Sequence, residues 1–193
     1  MENKETRRKR ILNNSFKEMY LKGYNGCSVN DLVQAANLPK GSFYNYFASK
    51  KQYAIYAIEY YGDLNQKDFN LLLDKTALPL DRIKNFFLAK ISKSKDMGLE
   101  YGCFVGNLSE ELGGIEPEIA AVATKFHQNI ENKIVENLQE AKIANYLIED
   151  IDENVLASVI VNMWQGTLLR VKVSHNADYF LDFYEVLEKK LLK

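Results

Sequence analysis

Cysteine, proline and histidine are scarce in this 193-residue sequence, which contains two, three and two of them. The two cysteines, Cys27 and Cys103, are too few for a disulfide framework and lack the close spacing of metal-ligand pairs. Three prolines and ten scattered glycines leave little room for long linkers or for a loop-rich β-sandwich. We therefore expect no metal and no cofactor.

Long apolar runs are also missing. No stretch approaches the roughly 20 apolar residues that a membrane-spanning helix needs. The basic start of the chain, residues 1–10, has no apolar segment behind it, as a secretory signal would have. Together with the few cysteines, these absences predict a protein of the reducing cytoplasm that does not associate with membranes.

Charge is distributed unevenly. Residues 1–51 contain ten lysines and arginines against four acidic residues, a net charge of +6, and the remaining residues carry −7. A basic segment on an acidic body suggests that this segment binds a polyanion such as DNA. An excess of charge on a solvated face would give the same pattern, so charge alone leaves both interpretations open.

Helical periodicity is present in almost every segment, and we predict an all-α fold. An apolar stripe over residues 11–20 runs into Gly23 as a stop signal, and Ser28 with Asp31 has the pattern of a capping box. Asn37 can end that second helix, and residues 39–47 form a third, very short one. Ser49 caps a fourth. Further helices are predicted at about 80–95, 101–112, 116–143, 152–174 and 177–192, with turns at residues 113–114 and 145–152.

Two domains are predicted, a helix-turn-helix domain over residues 1–48 and a helical effector-binding and dimerisation domain over residues 49–193. The helix at 152–174 is apolar on more than one side, and the helix at 177–192 is similarly wide. Such helices must be covered on more than one face. A second copy of the chain would cover them in a four-helix interface, and burial within one chain is the alternative.

A DNA-reading motif follows from the two short helices behind a longer one, which is the helix-turn-helix arrangement. Its second helix must approach DNA closely, and Gly41 and Ser42 place no bulky side chain in the way. Phe43 and Phe47 are expected to face the core. Lys50 combines its charge with the free N–H groups of a helix start, which suits a phosphate, and the arm at residues 7–10 adds further phosphate contacts. The predicted DNA-binding residues are Ser28, Lys40, Gly41, Ser42, Tyr44, Asn45, Tyr46 and Lys50.

These residues carry a resemblance. Gly23-Tyr24, residues 27–32, residues 35–47 and Ser49-Lys50 together resemble the DNA-binding domain of the TetR family of repressors, continuously over about residues 8–52. Asn37 stands where glycine is usual, and Pro39 replaces the more common serine. The resemblance implies a homodimer that places two short helices in successive major grooves of near-palindromic, double-stranded operator DNA. It also implies a small-molecule effector that alters their separation. The protein is expected to repress transcription, and activation of transcription is the alternative.

Effector sensing has two interpretations. Residues 102–112 resemble a segment of one branch of these regulators, in some of which cysteine senses electrophiles or oxidants, so Cys103 is a candidate thiol. Such a thiol needs exposure and a lowered pKa, which Lys93, Lys95 or the nearby helix start could supply; a buried packing role is the alternative. A non-covalent effector would bind among aromatic residues, although these and His127 are more often core. The predicted pocket residues are Tyr60, Phe86, Phe87, Cys103, Phe104, Phe126, His127 and Trp164.

Two other classes of function were weighed. An enzyme is not indicated, because the sequence has no nucleophile elbow and no phosphate loop, and its histidines and cysteines are far apart. We therefore predict no catalytic residues. A helical protein-interaction module without DNA binding is the remaining alternative, and salt-sensitive binding to duplex DNA would separate it from a regulator.

Overall fold

The computed structural model describes residues 3–146 and 151–192, apart from the side chain of Lys40. All regular structure within these residues is helical, as predicted. None of the helices there is long and apolar enough to cross a membrane. In chain order the helices are α1 (Lys4–Gly26), α2 (Val29–Ala35), a 3₁₀-helix (Lys40–Asn45), α3 (Lys50–Leu64), α4 (Gln66–Leu71), α5 (Pro79–Met97), α6 (Phe104–Leu112), α7 (Pro117–Ile143), α8 (Glu153–Ser174), α9 (Asp178–Val186) and a π-helical turn (Leu187–Leu191).

Helix α1 is broken at Gly23, where the backbone adopts φ 73° and ψ 177°. The predicted stop is therefore confirmed, and one further turn continues to Gly26. At its other end, Asn3 caps the helix by accepting a hydrogen bond from the Thr6 amide at 2.8 Å. Because the cap lies upstream of residues 7–10, these residues belong to the first turns of α1. Their phosphate contacts stay a prediction.

Helix α2 begins with the predicted capping box. The Ser28 hydroxyl accepts a hydrogen bond from the Asp31 amide at 3.1 Å, and the Asp31 carboxylate accepts one from the Ser28 amide at 2.7 Å. After α2, Asn37 adopts the left-handed conformation expected of it, with φ 51°. The short third helix is a 3₁₀-helix, closed by a bond from the Ser42 amide to the Pro39 carbonyl at 2.8 Å, the tighter form used in short segments.

The residues group into two compact units. Unit 1 comprises Met1–Leu64 and Phe104–Thr124, and unit 2 comprises Asn65–Cys103 and Lys125–Lys193. Unit 1 contains the whole predicted helix-turn-helix domain together with α3, α6 and the start of α7. The functional boundary proposed at residue 48 stays a prediction. Each unit has an aromatic-rich core, with Phe16, Phe43, Phe47, Tyr53 and Phe104 buried in unit 1 and Phe86, Phe87, Trp164, Phe180 and Phe183 buried in unit 2.

Two details differ from the predicted helices. Helix α4 was not predicted, because its six residues are mostly polar and bury none of their side chains. The last predicted helix changes to a π-helical turn after Val186. The predicted turn at residues 113–114 is present. Of the turn predicted at 145–152, residues 147–150 lie outside the described part of the chain.

Candidate nucleic-acid interface

The recognition segment, residues 40–47, has a small and polar outward face. Gly41 is exposed, and a Cβ there would meet no atom within 4 Å. The Tyr44 side chain is 62% exposed, Asn45 is exposed, and Ser42 and Tyr46 are half-buried. The side chain of Lys40 lies outside the described residues. This face therefore leaves the backbone accessible and presents hydroxyl and amide groups to a ligand.

The inward face of the recognition segment is aromatic. Phe43 and Phe47 are fully buried, as predicted, with ring centroids 5.2 Å apart. Both rings pack on Tyr53 of α3, at 6.0 and 5.0 Å. The Tyr53 hydroxyl is hydrogen-bonded to the Ser15 hydroxyl of α1 at 2.8 Å. The recognition segment is thus fixed from the inside to both α1 and α3.

Ser28 is exposed at the start of α2, where its hydroxyl is part of the capping box. The Asp31 carboxylate of that box also lies 2.8 Å from the Lys22 ammonium. Hydrogen bonds from Lys22 and Ser28 lower the pKa of Asp31 below its ordinary value. The carboxylate is therefore charged at neutral pH and holds the start of α2 in place.

Lys50 contacts the protein backbone, which the sequence did not indicate. Its ammonium donates hydrogen bonds to the carbonyl oxygens of Tyr24 at 2.9 Å and Cys27 at 3.1 Å. It also lies 4.2 Å from the centroid of the Tyr24 ring. A phosphate contact through this ammonium would have to share or replace these bonds, so the predicted phosphate role of Lys50 stays a prediction.

The contact of Arg8 with the recognition segment and the contact of Glu111 with the α1–α2 turn were not predicted from the sequence. The Arg8 guanidinium donates to the Tyr46 carbonyl at 3.3 Å and lies 4.2 Å from the Tyr56 ring centroid, which fixes the end of the recognition segment. Glu111 of α6 accepts hydrogen bonds from the backbone amides of Tyr24 and Asn25, each at 2.9 Å. Neither contact has a local sequence signal, because its partners lie 38 to 87 residues apart.

Family models match both parts of the chain. Residues 11–53 match the model described as bacterial regulatory proteins of the tetR family, and residues 79–187 match the tetracyclin repressor-like C-terminal domain. The second match alone spans more than half of the sequence.

The chain belongs to the TetR family. The HTH-type transcriptional repressor DhaR of Mycobacterium sp. strain GP1 is 29% identical over 172 residues, which are 89% of this chain and 85% of DhaR. The transcriptional regulator AcuR of Cereibacter sphaeroides is 30% identical over 161 residues, 81% of this chain and 72% of AcuR. The crystal structure of a regulatory protein TetR from Rhodobacter sphaeroides superposes with a TM-score of 0.84 at 27% identity, covering 92% and 95% of the two chains.

The predicted effector residues of this TetR-family chain are divided between the two units. In unit 1, Tyr60 and Phe104 both pack on Phe16, with ring centroids at 5.4 and 4.7 Å. The Tyr60 hydroxyl donates a hydrogen bond to Asn13 at 3.0 Å. Phe104 is therefore part of the core of unit 1, and the half-buried Tyr60 packs at its edge.

The other aromatic residues of the predicted pocket form a connected series in unit 2. Each neighbouring pair of rings lies 5.0 to 6.1 Å apart. Phe69 of α4, which was not predicted, joins the two halves of this series. The order is Trp164, Phe87, Phe86, Phe69, Phe126 and His127.

His127 ends that series with an unsatisfied ring nitrogen. Within the described residues its buried Nδ1 has no hydrogen-bond partner. Burial lowers the pKa of His127, so the ring is neutral at neutral pH. Whether His127 serves the pocket or has a plain surface or core role stays a prediction.

Cys103 is buried in unit 2, with 7% of its surface exposed. Burial lowers the pKa of the nearby Lys90 ammonium to about 8, although the charges of Asp68 and Cys103 act in the opposite direction. Lys90 and Lys93 both donate to the Asn65 side-chain oxygen, at 2.6 and 3.1 Å. The exposure that a sensing thiol needs is thus lacking, which favours the packing interpretation of Cys103.

An open groove of about 370 Å³ lies along α3 in unit 1. It extends from Ala48 to Glu59, with Glu118 of α7 at its side, and the predicted effector residues do not line it. Lys51 closes part of it through ion pairs with Glu116 at 3.4 Å and Glu118 at 2.8 Å. The groove is therefore separate from the predicted effector pocket.

Proposed function

We propose that this TetR-family regulator is a dimeric repressor that binds a near-palindromic operator and is released from it by a small-molecule effector. The recognition segment is the observation that supports this most strongly. Its outward face combines open backbone at Gly41 with the exposed Tyr44, while Phe43 and Phe47 fix it from inside. A rigid segment with a small polar face fits the major groove of duplex DNA.

Each residue of that face has a proposed role. Lys40 reads base edges, whereas Tyr44, Asn45 and Tyr46 donate to phosphate oxygens and set the position of the dimer. Ser28 offers its side chain at the start of α2. Lys50 keeps the turn before α2 in place through two carbonyl bonds at 2.9 and 3.1 Å, and it adds positive charge close to the backbone of the DNA.

Dimerisation is supported by an exposed stripe on α8. Val155, Val159, Leu169 and Val173 are 45 to 75% exposed, although α8 buries its other apolar face within unit 2. They recur at the three- and four-residue spacings of one helical face. Gly166 lies in the same stripe, and a Cβ there would meet no atom within 4 Å. A second copy of α8 packed against this stripe would remove these side chains from water.

The effector is proposed to be a mainly apolar or aromatic molecule with one hydrogen-bonding group. Phe69 and Phe126, the half-buried phenylalanines of the aromatic series in unit 2, supply apolar contact surface, and the unpaired Nδ1 of His127 supplies a polar contact. Buried polar groups are nearly always paired in folded proteins, so an unpaired one is a favourable point for a ligand. An effector that binds one arrangement of the dimer better than the other weakens DNA binding by that difference in affinity.

The experiment is fluorescence anisotropy with duplex DNA that spans the promoter of the protein's own gene, at two salt concentrations. We expect tight, salt-sensitive binding, with two chains bound to each operator duplex. The Tyr44→Ala variant should bind about tenfold more weakly, since it removes a phosphate contact. Tyr146→Ala, a change at another exposed tyrosine (47%) in unit 2, is the matched control and should bind like the wild type.

The repressor function would be contradicted if wild type and Tyr44→Ala bound promoter DNA equally well and if promoter and random-sequence DNA were bound equally well. That result would favour the protein-interaction module. A stoichiometry of one chain per duplex would contradict the dimer alone. Selection from a random-sequence library locates the operator if the promoter of the gene does not contain it.

A further inference from the structure

The turn between α1 and α2, residues 23–28, is held by a carboxylate from a distant helix. Glu111 of α6 accepts the Tyr24 amide on one oxygen and the Asn25 amide on the other, each at 2.9 Å. Two backbone donors on one carboxylate make a bidentate, charge-assisted arrangement, which is stronger and more directional than a neutral hydrogen bond. We call this arrangement the Glu111 clamp.

Gly23 is what makes the clamp possible. A Cβ at this position would lie 2.3 Å from Oε1 of Glu111, so a side chain there would displace the carboxylate. The backbone at Gly23 also has a φ of 73°, which residues other than glycine rarely adopt. The break in α1 exposes the next two amides, which are the ones that Glu111 binds.

The carbonyl groups of the same turn are bound as well. Lys50 donates to the carbonyl oxygens of Tyr24 at 2.9 Å and Cys27 at 3.1 Å. The N–H groups of the turn are thus held by an anion and its C=O groups by a cation. After this turn, α2 is only seven residues long, and it leads directly to the recognition segment. The direction of the turn therefore contributes to where the recognition segment lies, in addition to the packing of Phe43 and Phe47 on Tyr53.

We propose that Glu111 is a positioning residue for operator binding, which fixes the α1–α2 turn from α6 without itself contacting DNA. This inference rests on the proposed function, because it requires the recognition segment to read an operator.

Charge and position predict opposite effects for the loss of this carboxylate. Removing a negative charge from a DNA-binding protein strengthens its attraction to the phosphate backbone, for any DNA sequence. Loss of the clamp instead weakens the specific complex, because the recognition segment no longer has a single orientation. The sign of the change in operator affinity therefore separates the two explanations.

The test compares Glu111→Gln and Glu111→Asp with the same changes at Glu110, an exposed neighbour on the same helix. Glutamine presents an amide donor to one of the two backbone donors, and aspartate keeps the charge but has a shorter reach. Both Glu111 variants should raise the operator Kd about tenfold, as expected for loss of hydrogen bonds to a charged group. Their Kd for random-sequence duplex should stay unchanged or fall. The Glu110 variants should leave operator binding unchanged or slightly tighter.

A second measurement follows the clamp directly, through hydrogen exchange of the Tyr24 and Asn25 amides in the free protein. Exchange should be at least about tenfold faster in both Glu111 variants and unchanged in the Glu110 variants. This readout does not depend on the operator. Thermal unfolding of each variant checks that the chain is folded.

Unchanged exchange at the Tyr24 and Asn25 amides would overturn the clamp. So would an operator affinity that depends only on the charge of residue 111, with Glu111→Asp binding like the wild type and Glu111→Gln binding more tightly. If the wild type binds operator and the Glu111 variants bind equally well, this inference fails and the proposed function stands. If the wild type binds no operator at all, the proposed function fails first.

Discussion

In unit 1, charged side chains hold backbone groups near the surface, whereas in unit 2 polar and charged side chains lie inside. Glu111 and Lys50 bind the amides and carbonyls of one turn from outside the aromatic core. In unit 2 the side chains of Asn65, Arg82 and Asn137 are 1 to 4% exposed. Polar and charged side chains therefore orient a turn in one unit and lie in the interior of the other.

The buried polar groups of unit 2 are well paired. Arg82 donates to the Ala77 carbonyl at 3.0 Å, to Asn137 at 3.0 Å and to Glu140 at 2.7 Å. The Asn137 amide donates in turn to the Leu72 carbonyl at 3.0 Å. These bonds join α5 and α7 to the connection between α4 and α5. A buried charge is retained here because it satisfies the backbone of a loop that has no regular structure of its own.

The two arrangements carry different energetic costs. The half-buried Glu111 keeps part of its hydration, so the Glu111 clamp costs less desolvation free energy than a fully buried charge. A buried cation loses its hydration, and its interactions with the protein offset that loss of free energy only while all of its partners are in place. Damage to unit 1 should therefore change DNA binding more than stability, and damage to unit 2 should do the reverse.

The largest effect is expected for Arg82→Met. Removing the guanidinium leaves the Asn137 side-chain oxygen and the Ala77 carbonyl without this donor, and Glu140 keeps only its ion pair with Lys75. The free energy of unfolding should fall by about 3 kcal/mol. Urea unfolding can follow this through the single tryptophan, Trp164, which belongs to unit 2. Lys189→Met, which breaks an exposed ion pair with Glu185, should change stability by less than about 0.5 kcal/mol. Equal effects would remove the distinction between interior and surface charge.

The next effect concerns the pH dependence of Lys90. Its pKa is lowered by burial to about 8, from an ordinary value of 10.5. Between these values the unfolded chain binds a proton that the folded chain lacks, so the free energy of unfolding rises with pH in this window and is flat below it. As the pH rises across this window, we expect the free energy of unfolding of the wild type to increase relative to that of Lys90→Met by up to about 3 kcal/mol.

The control for this prediction is Lys95→Met, a change at an exposed lysine on the same helix. Its difference from the wild type should stay constant with pH. Urea unfolding at several pH values across the window measures both variants. A constant difference for Lys90→Met as well would mean that Lys90 is hydrated in solution.

The smallest effect is expected for Ser28→Ala in unit 1. It removes the N-cap of α2 and should lower the free energy of unfolding by about 1 kcal/mol. The Ser28 hydroxyl also donates to the Asp31 carboxylate and lowers its pKa. This part of the stabilisation is present above the ordinary carboxyl pKa and is lost as the pH falls below it. Ser94→Ala, inside α5, is the control and should be neutral or slightly stabilising. Chemical unfolding at neutral and acid pH checks both, and an equal loss at the two pH values would contradict the role of Asp31.

The parts of the fold that could be predicted from the sequence depend on neighbouring residues. The capping box joins Ser28 to a residue three positions away, and the break at Gly23 and the left-handed Asn37 need only their own backbone preferences. The aromatic anchors Phe43 and Phe47 follow from the spacing of a single short helix. Local features of this kind can be predicted before any tertiary structure is known.

The parts that could not be predicted depend on long-range packing. Glu111 meets Tyr24 across 87 residues, and Lys50 meets it across 26. Helix α4 is stabilised by its surroundings and has no apolar face of its own. The burial of Cys103 likewise results from tertiary packing, which no spacing in the sequence encodes.

The separation of the recognition segment into an inner and an outer face has a consequence for how such regulators diversify. Phe43 and Phe47 carry the packing, and Gly41, Tyr44 and Asn45 are exposed. Under the proposed function, substitutions at these exposed positions change how the segment contacts DNA at little expense in stability, because surface changes usually shift the free energy of unfolding by less than about 0.5 kcal/mol. One scaffold can thus vary its fit to DNA through three surface positions while its core stays the same.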